Sequence, residues 1–204
     1  MNKILLFGGS FNPVHHGHLI VSRHVAEQLG LARVVLMPSA NPPHKPPHGL
    51  APPADRLEMC RLAVAGDASF EVSEWEIQRS GPNYTFETVR HYREAAGGDV
   101  ELYWLIGMDS LHELGTWYRA RDLVETCTIV TAARPGFSEP DAAGLAEHFS
   151  AAAVERLLRH VVAGPWIDIA GTDIRARAEA GRSIRYLVPD AVREHIERCG
   201  LYRG

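Results

Sequence analysis

The sequence predicts a parallel α/β protein, and three observations carry that prediction. Apolar runs of strand length alternate with segments of helical period along the chain. The first run, Ile4-Leu5-Leu6-Phe7, ends in the pair Gly8-Gly9, after which the chain turns over Asn12-Pro13 and enters a histidine-bearing amphipathic segment. Gly8, Pro38, Gly107 and Arg134 each follow an expected strand and can converge on one cleft. In open, doubly wound sheets ligands lie beyond the carboxyl ends of the strands, at the point where strand order reverses.

Strands are expected at about Lys3 to Phe7, Val34 to Met37, Phe70 to Ser73, Leu102 to Ile106 and Thr128 to Ala132, with a last short one at Trp166 to Ile169. Helices are expected to begin near Gly17, Ala54, Thr85, Ser110, Asp122 and Asp141, and another follows Thr172. In the first, Leu19, Ile20, Val25 and Leu29 form an apolar stripe that Gly30 ends. The Ala-rich stretch from Ala142 to Ala153 is helix rather than low complexity. With 204 residues, 46% of them apolar, the chain is expected to be a single domain over residues 1 to 204, with a C-terminal helical segment from about 172 packed on it. Seven of the thirteen prolines fall between Pro38 and Asp55, which marks that stretch as a loop, either a solvated connector or part of a site.

The net charge of −4 gives no support to a nucleic-acid surface. Cys60, Cys127 and Cys199 are widely spaced, as expected of reduced thiols. The chain enters a strand within its first residues, with no leader-like apolar region, and no apolar run approaches the ~20 residues that span a bilayer. A soluble, cytoplasmic protein with no membrane partner is expected. A homo-oligomer is left open.

The glycine turn and the histidines suit a phosphate. His15 and His18, three residues apart, are expected on one helix face at its first turn, where free backbone N–H groups and the helix dipole favour anions. Three histidines within four residues also allow a metal site, although no Cys or carboxylate stands at partner spacing nearby. No metal-ligating residue is assigned. The spacing fits neither G-x-x-x-x-G-K-[ST] nor G-x-G-x-x-G.

The string G-G-S-F-N-P-V-H-H-G-H-L resembles the signature of the nucleotidyltransferase superfamily marked by H-x-G-H, and most closely its nicotinate mononucleotide adenylyltransferase branch. The resemblance covers nearly the whole chain, down to Tyr186-Leu187-Val188-Pro189 and Gly200-Leu201-Tyr202. It implies a Rossmann-like fold and transfer of AMP from ATP to nicotinate mononucleotide, with deamido-NAD and pyrophosphate as products, in NAD biosynthesis. Its implied partners are ATP and nicotinate mononucleotide, and its implied cofactor is Mg²⁺, accompanying ATP.

The same resemblance assigns residues. Gly8, Gly9, Ser10 and Phe11 form the ATP loop, with Ser10 also facing the mononucleotide. His15 and His18 hold the α- and β-phosphates, and Lys45 of Pro43-His44-Lys45 reaches substrate phosphate. Gly107 and Asp109 serve the adenylate ribose, although Asp109 also suits a helix N-cap. Thr85 and Tyr118 offer backbone N–H groups to the pyridine carboxylate, although Thr85 also suits a helix N-cap, and Trp117 stacks on the pyridine ring, although a lone Trp also suits a core. Arg134 is assigned to substrate phosphate, with a surface ion pair as its competing role. Thr172 and Arg175 belong to a stretch similar to I-S-S-T-x-I-R, here with Ala170 and Gly171 where two serines stand. Thr172 also suits an N-cap, and Arg175, expected at the third helical position, opposes the dipole unless an anion is present. Sibling reactions on nicotinamide mononucleotide or phosphopantetheine, and a non-catalytic nucleotide-binding regulator, are the alternatives.

Overall fold

The computed structural model describes residues 2–42, 49–97, 100–133 and 141–203. Lys45 and Arg134 lie outside the described residues. Strands β1 (Asn2–Gly9), β2 (Arg33–Pro38), β3 (Phe70–Val72), β4 (Val100–Gly107), β5 (Thr128–Ala132) and β6 (Val161–Val162) form one sheet in the order β3-β2-β1-β4-β5-β6. The pairs β1·β4, β4·β5 and β5·β6 are parallel, with Leu5 opposite Tyr103 and Tyr103 opposite Thr128. Strand order reverses between β1 and β4, so the switch point falls beside the glycine pair.

Helices α1 (His16–Gln28), α2 (Pro53–Val64), α3 (Thr85–Ala95), α4 (Met108–Glu113), α5 (Ala120–Thr126), α6 (Ala142–Ala146), α7 (Ala151–Arg159), α8 (Gly171–Glu179) and α9 (Asp190–Cys199) alternate with the strands or follow them. Pro53 opens α2, a position where the missing N–H costs nothing. The Ala-rich stretch is two helices instead of one. Asp141 caps α6 through Ala143 N, and Ser150 caps α7 through Ala153 N, so the second cap restarts the helix after a break.

Two further expectations are corrected. Trp166 to Ile169 is not a strand; Val161–Val162 is the edge strand beside β5, paired with Thr131 and Ala132. Trp166 is 84% exposed, so the apolar alternation there has no sheet face to bury against. In α1 the buried positions are Gly17, Ser22, Val25 and Ala26, whereas Ile20 is 44% exposed. The buried stripe is rotated about the helix axis from the one expected.

By its contacts the chain divides into two compact units. The first comprises Met1–Gly8, Val21–Val34 and Tyr84–Trp166. Its core consists of Leu5 and Leu6 of β1, Trp104 to Ile106 of β4, Ile129 and Val130 of β5, and Leu111, Leu123 and Leu157 from its helices. The second comprises Gly9–Ile20, Val35–Asn83 and Ile167–Gly204, where Leu57, Met59 and Cys60 of α2 are buried with Val192 and Ile196 of α9.

Candidate active site

In the second unit the site is built around the turn that follows β1. Phe11 adopts φ 44°, the Asn12–Pro13 peptide is cis, and Phe11, Asn12, Pro13, Val14 and His15 are all buried. Asn12 is the hub. Its Oδ1 accepts from Ala51 N at 2.9 Å and from the Tyr202 hydroxyl at 2.8 Å, and its Nδ2 donates to Gly49 O at 2.8 Å. The turn is thereby tied to the end of the proline-rich segment and to the C-terminal tail. Burial pushes the Tyr202 phenol pKa up, so it remains a donor.

Beneath the turn lies Arg56, with 0% of its surface exposed. Its Nε donates to Ala51 O at 3.0 Å, Nη1 to Ser10 O at 2.7 Å and Ser39 O at 2.6 Å, and Nη2 to Ala40 O at 3.3 Å. A planar guanidinium fans these bonds in a way that no other side chain can. Desolvation lowers its pKa, yet the group stays cationic and adds fixed positive charge below the loop.

His15 is not in the first turn of α1 but caps it. Its carbonyl accepts from His18 N at 3.0 Å, while its own N–H donates to Nδ1 of His18 at 3.2 Å. The second bond is half of a capping box, with imidazole in the place of the usual Glu or Gln. It assigns the His18 tautomer: with Nδ1 accepting, the proton of the neutral ring sits on Nε2, which is left as the donor. The two rings stack with centroids 3.6 Å apart, and Phe11 meets His18 edge-on at 5.1 Å.

The expectation of free amides at this helix start holds only in part. His16 N donates to Leu187 O at 3.0 Å and His18 N to His15 O at 3.0 Å, whereas Gly17 N has no acceptor among the described residues. Anion binding here therefore falls to side chains together with a reduced helix terminus. Two glycines fit through close approach. A Cβ on Gly17 would lie 3.0 Å from His15 Nδ1, and one on Gly8 2.6 Å from the Trp104 indole, which packs against it in the first unit.

At α8 the cap is Ala170, without a side-chain bond, so Thr172 is not the N-cap; it lies within the first turn and is exposed. Arg175 is the fifth helical residue instead of the third, and its Nη1 donates to Asn12 O at 2.8 Å. Its opposition to the dipole is thus answered in part by a carbonyl of the phosphate turn. Gly171 has a local reason as well, since a Cβ there would stand 3.0 Å from that same carbonyl oxygen. Ser10, His15, His18, Thr172 and Arg175 all belong to this unit.

The first unit carries the other candidates. Gly107 ends β4 and caps α4, which places exposed Asp109 in the first turn and removes its N-cap role. Thr85 is likewise the first residue of α3, not its cap, so its N–H has no acceptor within the helix. Trp117 is half-buried at the end of a 3-10 turn, Leu114–Thr116, and is not a core residue. Tyr118 is 47% exposed, and its ring stacks on Tyr84 with centroids 4.4 Å apart, linking the segments that hold Thr85 and Trp117.

Asn12, Arg56 and Tyr202 were not singled out by sequence reasoning. Arg56 did leave a signal: it shares the buried face of α2 with Leu57, Met59 and Cys60, and a charge among apolar positions at that spacing calls for a partner. Asn12 and Tyr202 stand in stretches that the resemblance covers, but nothing in those stretches pairs one with the other.

A parallel sheet in the order 3-2-1-4-5-6, with a glycine turn and a histidine-capped helix after β1, defines a Rossmann-like nucleotidyltransferase fold. The chain belongs to the cytidylyltransferase-like family, whose model matches residues 6–177. It is 42% identical over 203 residues to a Thermomicrobium roseum protein named "Probable nicotinate-nucleotide adenylyltransferase", covering 100% of this chain and 92% of that one. A Synechococcus protein of the same name is 40% identical, covering 98% and 94%. Among solved structures, the fold matches Plasmodium falciparum nicotinic acid mononucleotide adenylyltransferase complexed with NaAD, with a TM-score of 0.77, 15% identity and 99% and 98% of the two chains covered. The same enzyme complexed with APC matches with a TM-score of 0.75 at 14% identity.

Proposed function

We propose that this protein transfers AMP from ATP to nicotinate mononucleotide, releasing pyrophosphate and forming deamido-NAD for NAD biosynthesis. The observation that carries this reading is the His15–His18 cap, which leaves Nε2–H of His18 as a donor, within a chain about 40% identical over its whole length to proteins of that name.

The acceptor phosphate is already ionised, so its oxygen can attack the α-phosphorus in line without a general base. The bond to the β-phosphate bridging oxygen breaks, and pyrophosphate leaves. What the protein supplies is alignment and positive potential where charge grows. His15 and His18 hold α- and β-phosphate oxygens, while Arg175, steadied on Asn12 O, adds charge, and Lys45 is assigned the same task. Gly8, Gly9, Ser10 and Phe11 form the loop against ATP, and Thr172 contributes a hydroxyl. Gly107 and Asp109 serve the adenylate ribose. Thr85 and Tyr118 take the pyridine carboxylate, Trp117 the ring, and Ser10 and Arg134 the mononucleotide phosphate.

Mg²⁺ fits this site as part of the ATP complex. The phosphate turn offers imidazole and guanidinium nitrogens instead of a carboxylate cage, and Mg²⁺ on nucleotide phosphates needs few protein ligands. His15, His18 and Arg175 would hold the phosphates of that complex, and the ion would supply further positive charge to offset theirs. We assign the protein to the cytoplasm, on its three free cysteines. Among the described residues no helix is long and apolar enough to cross a membrane.

The test is pyrophosphate release from ATP and Mg²⁺ with either nicotinate or nicotinamide mononucleotide. Release with the acid form at a higher kcat/KM supports the assignment. Preference for the amide moves it to the sibling reaction, and no release with either refutes it.

A further inference from the structure

On the second unit, helices α2 and α9 bring together three side chains that the phosphate site does not use. His195 and Cys199, four residues apart, share one face of α9, and Asp55 stands in the first turn of α2. His195 Nε2 lies 2.9 Å from Asp55 Oδ1 and 3.8 Å from Cys199 Sγ, and the three ligand atoms fall within 4.8 Å of one another. With Zn–N near 2.0 Å and Zn–S near 2.3 Å, the edges of a tetrahedral site are about 3.3–3.6 Å. The two separations from His195 bracket that range before any ion is placed.

We propose that Asp55, His195 and Cys199 form a binding site for a thiophilic divalent cation of the Zn²⁺ class, which staples α9 to α2. The donor set of one imidazole, one thiolate and one carboxylate suits Zn²⁺ and not Mg²⁺, which prefers oxygen ligands and keeps its waters. His195 is 6% exposed, Asp55 is half-buried and Cys199 is exposed, so the ion enters from the Cys199 side and water fills the fourth position.

The protons balance. The Cys199 thiol releases one to solvent on binding. Nδ1 of His195 now accepts from Arg198 Nη2 at 3.0 Å, which leaves the ring proton on Nε2 beside Asp55. Metal at Nε2 moves that proton to Nδ1, so Arg198, exposed in the last turn of α9, turns away from the ring. The site adjoins Arg56, and the staple would hold the helix that carries the loop-supporting guanidinium. It does not depend on the catalytic reading above.

The test uses the full chain freed of metal by chelator, with Co²⁺ as the probe. A cobalt–thiolate charge-transfer band with tetrahedral d–d bands is expected, and Zn²⁺ should abolish it by displacement. Cys199→Ser should remove the band, and His195→Gln should weaken Co²⁺ binding by more than the roughly 10–100-fold typical of losing an outer-shell partner. Zn²⁺ should also raise the melting temperature of the parent protein and leave that of Cys199→Ser unmoved. Cobalt held by His15, His16 and His18 cannot give a sulfur band, so that site is distinguished. Absence of the band, its survival in Cys199→Ser, or no displacement by Zn²⁺ overturns the proposal. Cys199 is exposed, so the serine variant is expected to fold, which its melting temperature without metal verifies.

Discussion

The main-chain N–H of His15 donates to Nδ1 of His18 at 3.2 Å, so one ring helps cap α1 through Nδ1 and carries its proton on Nε2. Structure and chemistry at position 18 are therefore separable. His18→Asn keeps an acceptor for the cap and removes Nε2, whereas His18→Ala removes both. Turnover is expected to fall by about 10²–10³-fold in each, as for loss of one preorganised donor. Only the alanine variant should also lose about 0.5–1 kcal/mol of stability. Full activity in His18→Asn would remove the ring from the chemistry.

Gly17→Ala sets helix propensity against the site. Alanine favours a helix by about 1 kcal/mol over glycine, yet its Cβ would stand 3.0 Å from His15 Nδ1. We expect a melting temperature no lower than that of the parent and a clear loss of kcat, read from pyrophosphate release. An unchanged kcat would mean that the placement of His15 is immaterial.

Arg56→Met should weaken the fold and the loop together. It leaves the carbonyls of Ser10, Ser39, Ala40 and Ala51 without their buried donor. Stranded buried polar groups put the expected cost at about 3–5 kcal/mol, measured by urea unfolding. Arg56→Lys should recover only part of it, because one ammonium cannot fan across four acceptors. A loss below about 1 kcal/mol in Arg56→Met would show that water replaces the guanidinium.

Burial raises the thiol pKa of Cys127 from its ordinary 9.0 to about 12, and that of Cys60 in the same direction, while Cys199 is exposed. Native alkylation of the metal-free protein near pH 8 should thus modify one thiol of the three, counted by mass spectrometry. A pKa raised by folding contributes stability that is complete below the unfolded value and is lost as pH climbs toward the folded one. Unfolding free energy should therefore decline from about pH 9 toward pH 12. Rapid labelling of two or more thiols in the native protein would contradict the burial of Cys60 and Cys127.

Strands β1, β4 and β5 were legible to within two residues because fully buried parallel strands are continuous apolar runs. Val161–Val162 was not legible, since two residues carry no period, and Trp166 to Ile169 imitated one. Thr85, Asp109 and Thr172 each suit an N-cap by composition. The structure sets all three inside their helices, because the backbone entering each helix, and not the side-chain type alone, decides where it starts.

What the sequence by itself determined was the strand, glycine turn and histidine helix in their order, and through them the family. Those signals lie within a few residues of each other, where local period and turn chemistry act. Only the tertiary structure decided what holds the turn. Asn12 meets Arg175 across 163 residues of sequence and Tyr202 across 190, and no periodicity spans such separations. These partners are chosen by the sheet, which returns distant segments to one turn whose buried carbonyls must find donors.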